Sequence, residues 1–482
     1  MTASDLMAIS PLVTLSTVVL ALMLFIAFRR DHAVTAGFAV VGLAAAFAAT
    51  WWAAETAPRV VTSLLIVDSY SIFYSRFLLA ATAAIVLLAF PYLERQDEHK
   101  EEFYVLVLMA TAGTLVLVAS RHFASLFLGV EILSVSLYAL VSYLRSARLP
   151  LEAGIKYLIL AATSSAFLLF GMALLYAEAG SLEVPAVVQL LAGTSSIGRP
   201  VLALTAAVLI LTGIGFKLAA VPFHFWTPDV YQGAPLPVTA YIASVSKAGV
   251  FGLLLRWFHS ASENPQSSAG LAFATIAVAS MLVGNLLALQ QTNVKRLLAY
   301  SSIGHMGYLM VAFLATGAFG VQAATYYLVA YVVTIIGAFG VLSVVSPRGE
   351  SQGDLADLPA LLRGRPILSV LWVAMVLSLA GIPLTAGFLG KFYVLSAAAA
   401  NGLWIPILVL VVSSTIGIYY YLRILVALFS TPAQVTKEAS PSRTPLPIGA
   451  GLSLAMLAIL LIVLGVYPTP MWTWVQSMSA AL

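Results

Sequence analysis

Cysteine is absent from the 482-residue chain. That excludes thiolate-held iron–sulfur clusters and any disulfide framework, so redox chemistry of that kind must lie elsewhere. Charge is almost as scarce: Asp, Glu, Lys and Arg make up 9% of the residues, against about 25% in a soluble domain. Hydrophobic residues reach 61% and mean hydropathy is +1.02, so the solvent of this chain is lipid. The polar stretches between apolar runs are too short for a soluble domain. The formal net charge of +4 does not point to nucleic acid, because the basic residues sit in short loops, where they orient membrane helices. The segment Met1 to Pro11 lacks the basic start and small-residue cleavage site of a signal peptide. The first apolar run is therefore expected to stay as a span.

A helix crosses a bilayer in about 20 apolar residues. Runs of that kind fall at 9–28, 34–53, 71–92, 103–120, 123–143, 156–177, 200–225, 236–257, 269–289, 295–316, 321–346, 366–398, 403–430 and 447–467. The fold class is thus all-α, a polytopic membrane protein of about fourteen spans. The stretch 183–192 reads as a loop or surface helix. Loops 1, 3, 5, 9, 11 and 13 hold fifteen basic residues: Arg29, Arg30, Arg95, Lys100, Arg145, Arg148, Lys156, Lys295, Arg296, Arg348, Arg363, Arg365, Arg423, Lys437 and Arg443. The other loops hold four, Arg59, Arg121, Arg199 and Arg256. Basic residues mark the cytoplasmic side, so both termini are expected in the periplasm of a bacterium. Loop 3 runs against the trend, with Glu94, Asp97, Glu98, Glu101 and Glu102, but acidic residues contribute little to orientation.

One acidic residue and three lysines stand deep inside apolar runs: Glu131, Lys217, Lys247 and Lys391. A charge at the bilayer centre costs about 3 kcal/mol on insertion scales, so such residues face a protein interior or a wet cavity and mark ion paths. The bland alternative is snorkelling lysines or one structural ion pair. Glu131 and Lys247 lie too deep in their runs for that, whereas Lys391 reaches mid-depth only if its long helix breaks. Lysine suits reversible proton carriage because burial and neighbouring charge both move its proton affinity. His305, midway along its run, and His224, just after Pro222, titrate in a useful range. Either can equally be a neutral histidine satisfied within the bundle.

Span 7 contains Leu218-Ala219-Ala220-Val221-Pro222 and span 12 contains Leu379-Ala380-Gly381-Ile382-Pro383. Each proline predicts a helix break, tolerated at membrane depth only inside protein or beside water. Spans 7 and 12 differ by an odd number and so cross in opposite directions, as in inverted-repeat transporters. The expected organisation is three N-terminal spans over 1–102, two inverted five-helix units over 103–258 and 259–430, and a C-terminal span within 431–482.

Five motifs carry a family resemblance: SLFLGVEILS at 125–134, LEAGIKYLIL at 151–160, GFKLAAVPFHFWTPDVYQGAP at 215–235, QTNVKRLLAYSSIGHMGY at 291–308 and SLAGIPLTAGFLGKFYVL at 378–395. Over its whole length the chain resembles the antiporter-like membrane subunits of bacterial complex I, the proton-pumping NADH:quinone oxidoreductase, and among them the subunit N family. The resemblance implies a translocase subunit with no redox centre of its own. NADH, FMN, iron–sulfur clusters and quinone would belong to other parts of the complex. Expected partners are the antiporter-like subunit M, small subunits such as K and J, and the lipid bilayer of the inner membrane. By the same resemblance Glu131 and Lys217 form a modulating pair, Lys247 the central proton site and Lys391 the exit-side site. His224 and His305 would be relay steps, with Glu152 and Lys156 in a cytoplasmic uptake region. Neither a cofactor site nor a metal site is expected.

Two other readings stay open. The related Mrp sodium/proton antiporter subunits share the buried Glu, the Lys and the FHxWxPD pattern, but do not look like this chain at VYQGAP or LGKFYVL. A scaffold with idle lysines would use the same helices and pump nothing.

Overall fold

The computed structural model describes residues 2–96, 99–184, 200–258, 268–346, 353–362, 364–430 and 446–480. Asp97, Glu98, Arg199, Arg348, Arg363, Lys437 and Arg443 lie outside them, as does most of the stretch 183–192. Among the described residues, thirteen helices are long and apolar enough to cross a membrane. A further pair, Pro366–Ala380 and Ala386–Ala400, makes up span 12 in two halves. Spans 1 to 6 are Ser10–Phe28, His32–Thr56, Ser69–Glu94, Glu101–Ala119, Phe123–Val141 and Arg148–Ala179. Span 7 is Pro200–Leu218, and spans 9, 10, 11, 13 and 14 are Ser268–Leu289, Val294–Leu314, Gly317–Val345, Trp404–Phe429 and Ile448–Val466. Span 8 runs as Leu236–Tyr241, a π-helical turn Ile242–Ser246, and Lys247–Phe258.

Local chemistry sets many of the ends. Asp68, Asn293 and Thr385 cap the starts of span 3, span 10 and the second half of span 12 by accepting from backbone N–H groups. Spans 8, 10 and 11 are the most enclosed, and spans 1 and 13 among the least. The bundle is therefore built around spans 8, 10 and 11. Small elements not expected from hydropathy include a helix Ala3–Ala8, an antiparallel hairpin pairing Arg59–Val61 with Leu65–Val67, short helices Trp226–Gly233 and Leu358–Leu362, and a C-terminal helix Thr469–Ser479.

Both expected breaks are present, and both follow one hydrogen-bond pattern. In span 12 Gly381 turns to φ +83°, its N–H reaches Ser378 O, and the Ile382 N–H reaches back to Leu377 O. That is a Schellman ending, with glycine in the left-handed position. Span 7 ends at Leu218, short of the apolar run's limit at 225. There Ala219 takes φ +58°, its N–H reaches Phe216 O, and Ala220 N–H reaches Gly215 O. The left-handed residue stands three positions before Pro222 but two before Pro383, so the five-residue sequence match is one residue out of register with the backbone.

Loop parity gives an independent reading of the span count. Arg30 pairs with Glu102 and His32 with Glu94, joining loops 1 and 3. Lys156 and Arg296 both pair with Asp229, joining loops 5, 9 and 7. On the other face Asp68 of loop 2 pairs with Arg256 of loop 8, and Asp5 with Arg59. None of the described ion pairs joins an odd loop to an even one. A missing or surplus span before loop 9 would have mixed them.

Candidate functional site

Lys247 is fully buried and directly follows the π turn of span 8. Its Nζ donates to Ser302 Oγ of span 10 at 2.7 Å and lies 5.8 Å from the centre of the Tyr231 ring. Ser302 Oγ is also 2.6 Å from the Tyr331 hydroxyl and 3.3 Å from that of Tyr231. One turn further along span 10, buried His305 sits between two phenols: Nδ1 is 2.6 Å from Tyr327 OH and Nε2 is 3.1 Å from Tyr421 OH. Tyr421 OH also hydrogen-bonds Ser301 Oγ.

Another turn along, Tyr308 presents its ring to the Lys391 ammonium at 5.2 Å. The positions 301, 302, 305 and 308 share one face of span 10 and cover about 10 Å of helix at 1.5 Å per residue. The same face thus carries a row of polar groups from Lys247 to Lys391.

Lys391 lies in the second half of span 12, where the break brings it inside the bundle, 7% exposed. Its Nζ donates to Leu379 O at 3.1 Å, Ala380 O at 3.0 Å and Ser414 Oγ at 3.0 Å. Both carbonyls belong to the end of the first half-helix, where unpaired C=O groups and the helix dipole favour a cation.

Lys217 stands in the last turn of span 7. Its Nζ donates to Ser134 Oγ at 2.6 Å and lies 5.5 Å and 5.8 Å from the Tyr157 and Phe216 ring centres. Glu131 lies one turn before Ser134 on span 5 and accepts from Ser165 Oγ at 2.5 Å. No described hydrogen bond or ion pair joins Glu131 to Lys217. The carboxylate is half-buried, on a helix whose nearby Leu128 and Val135 are exposed. Ser134 therefore stands where the expected pair would have made its direct contact.

The two histidines separate. His305 lies in the polar row, whereas His224 follows the span 7 break, stacks on the exposed Phe225 ring at 4.5 Å, and has no described partner at Nδ1. No described hydrogen bond ties it to any of the three lysines. Glu152 and Lys156 do come together at 2.7 Å, and Lys156 also pairs with Asp229 Oδ2 at 2.8 Å. Asp229 Oδ1 holds Arg296 at 2.7 Å, and Arg296 reaches Gln232 Oε1 at 3.0 Å. Asp229 is the hub of this cluster. Its place in the WTPD motif was readable, but its partners lie 67 and 73 residues away.

Tyr327, Tyr331 and Tyr421 were missed as well, because a tyrosine in a membrane span reads as packing, and so was Tyr231 in the short helix Trp226–Gly233 between spans 7 and 8. Hydroxyls and neutral imidazoles both donate and accept. Such groups stand at each turn between the two lysines, but no described hydrogen bond joins Ser302 to His305 or the Tyr308 hydroxyl to Lys391, so a continuous path would need water at those two steps.

A family model described as the NADH:quinone oxidoreductase/Mrp antiporter transmembrane family matches residues 120–417. The chain belongs to that family. Among solved structures, a chain of respiratory complex I from Thermus thermophilus with bound aureothin is 34% identical, with TM-score 0.81 over 96% of this chain and 98% of that one. A chain of the archaeal membrane-bound sulfane sulfur reductase is 23% identical, with TM-score 0.83 over 99% and 97% of the two chains. A chain of the Mrp complex from a Dietzia species is 20% identical, with TM-score 0.81 over 100% and 97%. At that identity the last two show a common fold. All three are parts of membrane complexes, and the structural matches to them extend over 96–100% of this chain.

Proposed function

We propose that this family member is a membrane-arm subunit of a respiratory NADH:quinone oxidoreductase, of the subunit N kind, and that protons cross part of the membrane along the row Lys247–Ser302–His305–Tyr308–Lys391. The observation that carries the reading is the row itself: buried lysines at either end and titratable or hydroxyl groups at each turn of span 10 between them. The 34% identity to a complex I chain favours this assembly over a free-standing antiporter. Lys217, bound to Ser134 and near Glu131, is the modulating element, and the Glu152–Lys156–Asp229–Arg296 cluster forms the uptake side. The two breaks fit inverted five-helix units over 103–258 and 259–430. Subunits M, K and J are the proposed neighbours. Quinone, NADH, FMN and clusters are handled elsewhere in the complex. The membrane is a bacterial inner membrane with both termini in the periplasm.

Lys247→Ala or Lys217→Ala should lower quinone-linked proton pumping in proteoliposomes while leaving assembly largely intact. Wild-type pumping by both variants would end the relay reading. Glu131→Gln should weaken pumping and Glu131→Asp keep part of it, measured at matched complex content. Equal pumping by all three would leave Glu131 a structural partner of Ser165. The Mrp reading rests on the shared family model, and its test is separate. Co-purification with NADH dehydrogenase activity supports the oxidoreductase, whereas sodium/proton exchange without it supports the antiporter.

A further inference from the structure

Arg76 is absent from the loop tally above because it lies within span 3, seven residues from its start at Ser69. At 1.5 Å per residue this is about 10 Å along the helix. Its guanidinium is held in place: Nε donates to the buried Thr50 Oγ1 at 2.8 Å, and the carbon centre lies 4.9 Å from the Trp51 ring. No carboxylate among the described residues pairs with it, and the side chain is only half-buried. A cation placed there by two neighbours and left without a counter-ion faces a cavity of about 230 Å³.

That cavity is otherwise apolar. Phe73, Phe77, Ala80, Ala81 and Ala84 of span 3 form one wall, and spans 11 and 14 supply the others. The Arg76 end is closed by Trp474 of the C-terminal helix, whose ring lies 5.0 Å from Phe73, and Met456 marks the deeper part. Trp474 and Met456 are 43% and 45% exposed, so the cleft opens sideways toward lipid. Trp51 and Trp52 are exposed at the same end, as expected of aromatic side chains at headgroup level. An arginine on a helix leans toward the helix start, here toward that interface.

We propose that this cleft holds an anionic phospholipid, one acyl chain lying along Phe77, Ala80 and Met456 and the phosphate paired with Arg76. The charge decides the occupant. An apolar cavity of about 150 Å³ already takes small hydrocarbon ligands, but hydrocarbon alone has no use for a guanidinium. A phosphate diester accepts two parallel N–H bonds from it; in a zwitterionic lipid the headgroup ammonium competes for that charge, so an anionic lipid suits Arg76 better, and the attached chain fills the apolar remainder. None of the residues lining the cleft belongs to the proton row, although span 11 borders both.

The test uses the full-length chain in its purified complex, exchanged into detergent containing either phosphatidylglycerol or phosphatidylcholine, with retained lipid counted by native mass spectrometry. Wild type should keep one phosphatidylglycerol at least tenfold more persistently than phosphatidylcholine. Arg76→Gln should remove that preference, Arg76→Lys should keep part of it, and Ala80→Phe, which fills the cleft, should expel both lipids. Equal retention of the two lipids by wild type would overturn the proposal, and that measurement stands even if a variant fails to fold. So would an Arg76→Gln protein that still prefers phosphatidylglycerol, or a cleft that retains no lipid because a neighbouring subunit's helix occupies it.

Discussion

Replacing Lys391 by Met keeps most of the volume of the side chain and removes its charge. The structure gives the cost. Leu379 O and Ala380 O receive hydrogen bonds from Lys391, and no backbone donor outside the helix reaches either of them. Leaving a buried acceptor unpaired costs about 1–3 kcal/mol, so two of them put the loss at roughly 2–6 kcal/mol before water enters. For a large chain about 2 °C of midpoint corresponds to each kcal/mol, so the apparent unfolding temperature in detergent should fall by roughly 4–12 °C. Lys391→Arg retains donors and charge and should recover much of that fall. Arginine does not release its proton at accessible pH, so the same variant should pump poorly when reconstituted. Two results refute the reasoning. A Met variant as heat-stable as wild type would mean the carbonyls do not depend on Lys391, and an Arg variant pumping at the wild-type rate would mean position 391 never gives up a proton.

Asp68→Asn leaves the buried Arg256, bound at 2.7 and 2.9 Å, without its counter-charge, and should destabilise by about 3–5 kcal/mol. Asp68→Leu with Arg256→Met should cost less than that single change, as a thermal-denaturation comparison would show. Gly387→Ala places a Cβ 1.9 Å from the Ser378 carbonyl oxygen, so it should disrupt the span 12 break and reduce both assembly and pumping, measured by yield of intact complex. Asp229→Asn removes the shared partner of Lys156 and Arg296. Because these side chains are partly exposed, stability should change by less than about 1 kcal/mol, while an uptake role requires a clear fall in pumping. The hydrogen bond from the Thr2 N–H and then the Arg59 guanidinium hold the Asp5 carboxyl at about 2. Its contribution is present above the ordinary carboxylate value and is lost as pH falls toward 2, so protease protection of the N-terminal helix should persist at pH 4.

Hydropathy made the spans legible, since apolar length alone decides which segments cross. Pro222 and Pro383 made the breaks legible, because proline removes a backbone donor. Lys217, Lys247 and Lys391 announced themselves by the cost of burying charge, and all three are buried. What sequence could not supply was partnership. Ser134 and Ser165 stand at Lys217 and Glu131, and nothing in a run of small membrane residues marks one serine over another. The tyrosines around His305 come from three spans. The five-residue match between spans 7 and 12 did not show that their backbones would turn one position out of register, with Ala219 in the left-handed turn of span 7 and Gly381 in that of span 12. Arg76, five residues inside the run 71–92, is neither a loop charge nor as deep as the three lysines, and nothing in its own segment marks the Thr50 and Trp51 side chains that hold it.

The π turn at Ile242–Ser246 closes each of its hydrogen bonds around one residue more than an α-helix does. Everything after it is therefore rotated by about 100° about the axis relative to an uninterrupted helix of the same sequence. Two buried cations follow that turn on the same rigid segment, Lys247 facing Ser302 and Arg256 facing Asp68. One extra residue thus sets the azimuth of both. Shortening the turn to regular geometry could not realign the lysine without also twisting the arginine off its carboxylate, so the ion pair near the membrane face ties the azimuth of Lys247 to that of Arg256.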